Sequence, residues 1–153
     1  MIPEATSLAQ NRQDAKVTIL LVEDDSAVRW AVQTILEMRG YYVLQADGPK
    51  SAIEIASDTD IKFDLLVTDL LMPGMNGIEL ARRVREIRPG LKTLYMTGYC
   101  NGEFLNESGS TRSQVQIQKP FSSGALLACV AEALRETVPQ RMPQCNLALM
   151  CNN

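Results

Sequence analysis

Three acidic side chains and one lysine stand directly after, or at the end of, separate apolar runs of this 153-residue chain. Glu23 and Asp24 follow the first run, Asp69 ends another, and Lys119 follows the last. Carboxylate oxygens are ligands for hard divalent cations, and an ammonium group pairs with phosphoryl oxygens. If the fold brings these four side chains together, they form a site for a cation and a phosphoryl group.

The apolar runs have the length and the flanking turn residues of buried strands. Strands that alternate with helices predict a parallel sheet with helices on both faces. In such a sheet, ligand sites lie at the carboxyl ends of the strands, where the acids and the lysine are expected. The predicted strands are residues 16–22, 41–45, 65–69, 92–96 and 115–118, and the predicted helices are residues 26–39, 49–57, 78–87 and 122–137.

Helix ends are marked by capping and stop residues. Asp25 or Ser26 is the expected N-cap of the first helix, and Gly40 is its expected stop. Ser122 or Ser123 is the expected N-cap of the last helix.

One domain is predicted at residues 16–138, flanked by a disordered N-terminal tail at residues 1–15 and a C-terminal tail at residues 139–153. Residues 99–113 are rich in Gly, Ser, Asn and Thr, and we expect a short or mobile fourth helix there. The N-terminal residues lack the apolar segment of a signal peptide, and no apolar run approaches the roughly 18 residues that span a bilayer. A cytoplasmic location is therefore expected.

The chain contains no histidine, which excludes Ser-His-Asp and Cys-His catalysis, histidine-ligated metal and phosphohistidine. None of its four cysteines forms a Cys-x-x-Cys pair, so neither a structural zinc site nor a thioredoxin-like motif is indicated. Cys129 lies in an apolar helical stretch and is expected in the core. The net charge of −3 does not favour binding to nucleic acid or anionic membrane.

The motifs resemble those of the receiver domain of two-component response regulators. The resemblance covers roughly residues 17–138, and its finer features are similar to receivers associated with hybrid histidine kinases. It implies a single doubly wound (βα)5 domain with a five-stranded parallel sheet and the flavodoxin-like strand order 2-1-3-4-5. The matching motifs are Val-Glu-Asp-Asp at residues 22–25, Asp69 with Met-Pro-Gly-Met-Asn-Gly at residues 72–77, Thr97, and Lys-Pro-Phe at residues 119–121.

The resemblance implies a magnesium site among the acids. Asp24, Asp69 and the backbone carbonyl of Leu71 would hold Mg²⁺, and Glu23, the other member of the acid pair, would act mainly through water. The bare chemistry agrees, because two carboxylates at about 4 Å repel by about 4 kcal/mol at an effective dielectric of about 20. A hard divalent cation removes that repulsion.

The resemblance also implies the phosphoryl chemistry. Asp69 would be the phosphoacceptor, a carboxylate nucleophile that forms an acyl phosphate. Thr97 and Lys119 would each bind an oxygen of the phosphoryl group. Phosphoryl transfer needs mainly positioning and charge compensation, which these groups supply.

Three positions bear on output and lifetime. Gln116 occupies the switch position, where many receivers carry a Tyr or Phe that swings inward, and an amide cannot reproduce that apolar movement. Leu71 and Tyr99 flank the path of the attacking water in receivers. The Leu71 side chain cannot orient that water, and Tyr99 would shield the site. We therefore expect slow self-dephosphorylation. Asn76 stands where the family commonly has Asp, and we expect little effect.

The implied partners are proteins. The donor would be a sensor histidine kinase or a histidine phosphotransfer protein, and a downstream protein target would bind the face formed by residues 99–113, 115–118 and 122–137. The leading interpretation is a stand-alone receiver that catalyses only its own modification. A phosphate sink, a feedback regulator of a hybrid histidine kinase, and a phosphorylation-dependent homodimer stay open.

Other classes of protein remain as alternatives. A phosphatase of the haloacid dehalogenase type needs a second acid two residues after its nucleophile, where this chain has Leu71. A flavin-binding flavodoxin needs a hydroxyl- and glycine-rich loop where this chain has residues 23–25, Glu-Asp-Asp. A degenerate receiver that serves only as an interaction module conflicts with the intact set of acids, threonine and lysine.

Overall fold

A computed structural model describes residues 16–98 and 114–135 of the chain. Its centre is one sheet of five parallel strands in the order β2-β1-β3-β4-β5. This order confirms the predicted flavodoxin-like topology. The strands are β1 Thr18–Val22, β2 Tyr42–Ala46, β3 Leu65–Asp69, β4 Lys92–Thr97 and β5 Gln114–Gln118.

Helices cover both faces of the sheet, so the described part of the chain is doubly wound. One core cluster joins residues of α1 and α4 to the sheet, and Cys129 lies in it as predicted. A second core cluster joins residues of α2 and α3 to the opposite face. The described helices are α1 Ser26–Met38, α2 Pro49–Ser57, α3 Gly77–Ile87 and α4 Ser123–Arg135.

Capping follows the local chemistry of the sequence. The Asp25 side chain accepts hydrogen bonds from the N–H groups of Ala27 at 2.9 Å and Val28 at 3.2 Å, which makes it the N-cap of α1. Of the two serines proposed for the last helix, Ser122 caps it, since its hydroxyl accepts from the N–H of Ala125 at 3.1 Å. Gly40 has φ 101° just after α1, as expected of a glycine that ends a helix.

The differences from the predicted bounds are small. β2 starts and ends one residue later than predicted, and Thr97 is the last residue of β4 rather than the residue after it. α3 begins at Gly77, because Asn76 accepts a 2.8 Å hydrogen bond from the N–H of Glu79 and so caps the helix one residue early.

Several predictions fall outside the described residues. These are the two tails, the fourth helix at residues 99–113, the role of Tyr99, and the end of the last helix at residue 137. Within residues 16–98 and 114–135, no helix is long and apolar enough to cross a membrane.

Candidate functional site

The carboxyl ends of three strands bring the predicted site residues together. β1 and β3 are neighbours with Val22 opposite Thr68, so Glu23 and Asp69 emerge side by side. Carboxylate oxygens of Glu23, Asp24 and Asp69 all lie within 4.8 Å of one another. The sequence predicts these acids at one sheet edge, and in the structure they form one cluster, called here the acid cluster.

Lys119 connects the acid cluster to β5. Its ammonium nitrogen Nζ lies 2.8 Å from Oε2 of Glu23 and 3.2 Å from Oδ2 of Asp69. The backbone N–H of Lys119 donates to the carbonyl of Thr97 at 2.7 Å, which ties the end of β4 to the same edge. Burial lowers the pKa of Lys119, but the hydrogen bond to Glu23 and the charge of Asp69 outweigh burial and raise it above the ordinary value. Lys119 is therefore an ammonium cation at neutral pH.

Glu23 is held through every polar atom of its backbone and side chain. Its Oε1 accepts from the N–H of Asp25 at 3.1 Å, and its Oε2 accepts from Lys119. Its own N–H donates to the carbonyl of Ala46 at 3.2 Å, and its carbonyl accepts from Arg29 Nη1 at 2.7 Å. Arg29 is not recognisable as a site residue from sequence, because a basic residue one turn into a helix has no distinctive pattern.

The carboxyl group of Glu23 is almost fully buried, with a side-chain exposure of 1%. Burial raises the pKa of Glu23 above its ordinary value, and the charge of Asp69 adds to this rise. The hydrogen bonds from Lys119 and from the N–H of Asp25 act in the opposite direction. Both oxygens of the carboxylate thus accept hydrogen bonds within the protein, and the role of Glu23 through water stays a prediction.

The backbone around Asp69 is anchored on both sides. The Thr68 hydroxyl donates to the carbonyl of Asp69 at 3.0 Å, and the N–H of Leu70 donates to the carbonyl of Met96 at 2.9 Å. The N–H of Gly77, at the start of α3, donates to the carbonyl of Leu70 at 2.8 Å. Neither Thr68 nor Gly77 was assigned a role in the sequence analysis.

The remaining predicted residues lie where the topology requires. Asp24 is exposed at the mouth of the acid cluster, and Thr97 is buried at the end of β4. Gln116 is buried in β5 opposite Tyr95 of β4. The Leu71 side chain is 43% exposed, and the role of its carbonyl stays a prediction.

The residues present fit a magnesium ion. The acid cluster holds three carboxylates, and one ammonium group pairs with two of them, which leaves an excess of two formal negative charges. The donors are all oxygens, the ligand type that Mg²⁺ prefers. Asp24 and Asp69 are the candidate protein ligands, because both oxygens of Glu23 are already engaged.

Comparison with known proteins shows which family this chain resembles. The family model of the response regulator receiver domain matches residues 19–131. Over 103 residues the chain is 42% identical to the response regulator receiver protein CpdR of Brucella abortus (strain 2308), which covers 67% of this chain and 84% of that protein. Over 135 residues it is 33% identical to the sensor kinase CckA of the same organism, which covers 88% of this chain but only 14% of the kinase.

A solved structure agrees with the sequence relatives. The crystal structure of the receiver domain from the hybrid histidine kinase CckA has a TM-score of 0.64 and 30% sequence identity, and the match covers 77% of this chain and 99% of that one. The similarity to receivers of hybrid histidine kinases, predicted from sequence, is thereby confirmed. The acid cluster, the lysine that bridges it and the family match lead to one conclusion: this chain belongs to the response regulator receiver domain family of two-component signalling.

Proposed function

We propose that Asp69 accepts a phosphoryl group from a phosphohistidine, in a reaction that depends on Mg²⁺. The observation that carries this proposal is the placement of Lys119, whose ammonium group bridges Asp69 and Glu23 at the mouth of a cluster with excess negative charge. A cation beside a nucleophilic carboxylate compensates the charge of an incoming phosphoryl group.

The transfer forms one bond and breaks another. A carboxylate oxygen of Asp69 attacks phosphorus, the P–N bond of the donor breaks, and the imidazole nitrogen leaves with the electron pair. Lys119 donates a hydrogen bond to one phosphoryl oxygen, and the Thr97 hydroxyl donates to another. Glu23 keeps the ammonium group of Lys119 directed at Asp69 throughout.

Mg²⁺ would be held by Asp24, Asp69 and the backbone carbonyl of Leu71, and it would supply positive charge against the acids and the phosphoryl oxygens. Asp24 is exposed and Asp69 is 9% exposed, so a hydrated ion has access to the cluster from solvent. Glu23 would orient water at the ion rather than bind it directly.

The domain would signal by a shift between two conformations that the phosphoryl group biases. In this proposal it modifies only itself and turns over no external substrate. Its donor would be a sensor histidine kinase or a histidine phosphotransfer protein, and its output would pass through contacts with a protein target. The names of the relatives, a receiver protein and a sensor kinase, support that class of partner.

The test is a phosphotransfer assay with a histidine phosphotransfer protein labelled on its histidine. We expect the label to move to the wild type in the presence of Mg²⁺, and to remain on the donor with Asp69→Asn or after chelation. Asp60→Asn is the matched control, because Asp60 is an exposed acid outside the site, and it should accept label like the wild type. Equal labelling of Asp69→Asn and the wild type would contradict the assignment of the phosphoacceptor.

The same assay separates a phosphate sink from a regulator of a target. A sink returns the label to the donor, or loses it to water, without forming a lasting complex with another protein. A regulator holds the label long enough for a phosphorylation-dependent complex to be isolated.

A further inference from the structure

Gly77, the first residue of α3, lies closer to the main chain of Asp69 than any side chain would permit. A Cβ atom built on Gly77 would stand 2.2 Å from the carbonyl oxygen of Asp69 and 3.1 Å from both its carbonyl carbon and the Cα of Leu70. Gly77 does not have the positive φ of Gly40, Gly74 and Gly90. The glycine is therefore required for space rather than for backbone conformation.

Hydrogen bonds from three elements hold the same stretch of backbone. The Thr68 hydroxyl donates to the Asp69 carbonyl at 3.0 Å, and the Leu70 carbonyl accepts from the N–H of Gly77 at 2.8 Å. The Leu70 N–H donates to the carbonyl of Met96 at 2.9 Å, so β4 holds the N–H of Leu70 and α3 holds its carbonyl. Leu70 joins the phosphoacceptor to the segment that carries the Leu71 carbonyl.

We propose that Gly77 is a positioning residue for the phosphoacceptor site. Because Gly77 has no side chain, the start of α3 packs directly against the Asp69 carbonyl. This contact and the hydrogen bond from the Thr68 hydroxyl fix the positions of the Asp69 carboxylate and the Leu71 carbonyl. The inference rests on the proposed function, since it concerns the same magnesium and phosphoryl site.

The size of the clash decides that a side chain here would matter. Cβ contacts below 3.0 Å are essentially absent from proteins, so a 2.2 Å contact forces the backbone apart by about 0.8 Å. The neighbouring atoms are backbone, so the strain cannot be relieved by rotation of a side chain. Mg²⁺ requires near-ideal octahedral geometry, and ligand distances in metal sites hold to within about 0.2 Å. A shift of this size therefore disrupts the ligand set.

The experiment compares Gly77→Ala with Gly124→Ala, the same change in the first turn of another helix. A Cβ at Gly124 meets nothing nearer than the Ser122 hydroxyl at 4.0 Å. Mg²⁺ affinity is measured by titration calorimetry and folding by circular dichroism, both without phosphodonor. We expect Gly77→Ala to weaken Mg²⁺ binding about 10- to 100-fold, the range for altered supports of metal ligands, and Gly124→Ala to leave it unchanged. Folded Gly77→Ala with wild-type Mg²⁺ affinity would overturn the proposal.

Two more variants separate positioning from stability. Thr68→Val keeps the side-chain shape but removes the hydroxyl bond to the Asp69 carbonyl, and it should weaken Mg²⁺ binding several-fold. If Gly77→Ala does not fold, the Thr68→Val variant becomes the test of the proposal. Wild-type Mg²⁺ affinity in Thr68→Val would then overturn it. Ile78→Ala loosens the packing of α3 without placing an atom against Asp69, and it should lower the melting temperature while Mg²⁺ affinity is retained.

The wild type separates this proposal from the proposed function. If wild-type protein neither binds Mg²⁺ nor accepts a phosphoryl group, the proposed function fails. If the wild type does both and Gly77→Ala binds Mg²⁺ equally well, only the positioning role fails.

Discussion

Two groups of charged side chains in this domain have similar ion-pair distances, but one group is mostly buried and the other is exposed to solvent. In the acid cluster, Lys119 contacts Glu23 at 2.8 Å and Asp69 at 3.2 Å. On the surface of α3, Arg82 contacts Glu79 at 2.7 Å. The Arg82 and Glu79 side chains are 57% and 36% exposed, whereas those of Lys119 and Glu23 are 25% and 1% exposed.

The two groups also differ in charge balance. The surface group of Glu79, Arg82, Arg83 and Glu86 pairs two acids with two bases, and hydrogen bonds from Arg82 and Arg83 lower the pKa of Glu79 to about 2. In the acid cluster, burial instead raises the pKa of Glu23, and negative charge is in excess. Short ion-pair distances alone thus do not identify a functional site. Burial and an excess of negative charge are more informative, because a buried group of carboxylates is unfavourable until a cation binds to it.

The largest expected difference between the two groups is in stability. Lys119→Met leaves the buried carboxylate of Glu23 without its cation, and breaking fully buried pairs costs about 3–5 kcal/mol. Because Lys119 is partly exposed, we expect a loss of about 2 kcal/mol in the free energy of unfolding, measured by urea denaturation without Mg²⁺. Arg82→Met, the matched change on α3, should cost much less, because the ion pairs of Arg82 are exposed and screened by solvent. Equal losses would remove the distinction between the groups.

The next prediction concerns added Mg²⁺. Binding to the folded state alone stabilises the wild type by about 1.4 kcal/mol for each tenfold excess of the ion over its dissociation constant, which thermal unfolding detects. Asp24→Asn removes one carboxylate from the acid cluster and should abolish most of this gain. Glu86→Gln removes an acid from the surface group and should retain it. A gain that survives in Asp24→Asn would argue against the acid cluster as the metal site.

The next prediction compares the phosphoryl half-life of two variants. Each variant changes one exposed aliphatic side chain, Leu71 near the acid cluster or Ile87 at the end of α3. Leu71→Asn places an amide that can orient water near Asp69, so the half-life after removal of the phosphodonor should shorten several-fold. Ile87→Asn makes the same kind of change at the end of α3, at a residue that is 38% exposed, and should leave the half-life unchanged. A wild-type half-life of only seconds would contradict the expected slow self-dephosphorylation.

The smallest effect is the response of the surface group to acid. Because the pKa of Glu79 is lowered from 4.5 to about 2, its ion pairs contribute stability above pH 4.5, and this contribution is lost as the pH falls through about 2. The melting temperature of Glu79→Gln should therefore lie slightly below that of the wild type at pH 6, and the difference should vanish near pH 2. A difference that persists at pH 2 would have another origin.

The fold could be predicted from sequence because the strands are short segments rich in apolar residues, continuous or alternating with polar ones, and each helix has an apolar face. All five strands and the four described helices lie within one or two residues of their predicted positions. The convergence of Glu23, Asp69 and Lys119 could also be predicted, since strand ends of a parallel sheet meet at one edge.

The supporting residues could not be predicted, because their roles depend on contacts between elements distant in sequence or on backbone distances. Arg29 is recognised only by its bond to the Glu23 carbonyl, and Gly77 only by its distance from the Asp69 carbonyl. The sequence predicts that β4 ends before Thr97, whereas Thr97 is its last residue, because residue type alone does not show where hydrogen bonding between strands stops. The choice of Ser122 over Ser123 as a cap depends on side-chain direction, which the sequence leaves open.

We expect the acid cluster to make Asp69 the acceptor of a phosphoryl group once Mg²⁺ is present. Intact-mass spectrometry after incubation with Mg²⁺ and acetyl phosphate tests it most directly, with Asp69→Ala and a sample containing chelator in parallel. We predict a gain of one phosphoryl group in the wild type with Mg²⁺ and no gain in the other two samples. No gain in the folded wild type, or an equal gain in Asp69→Ala, would contradict the account.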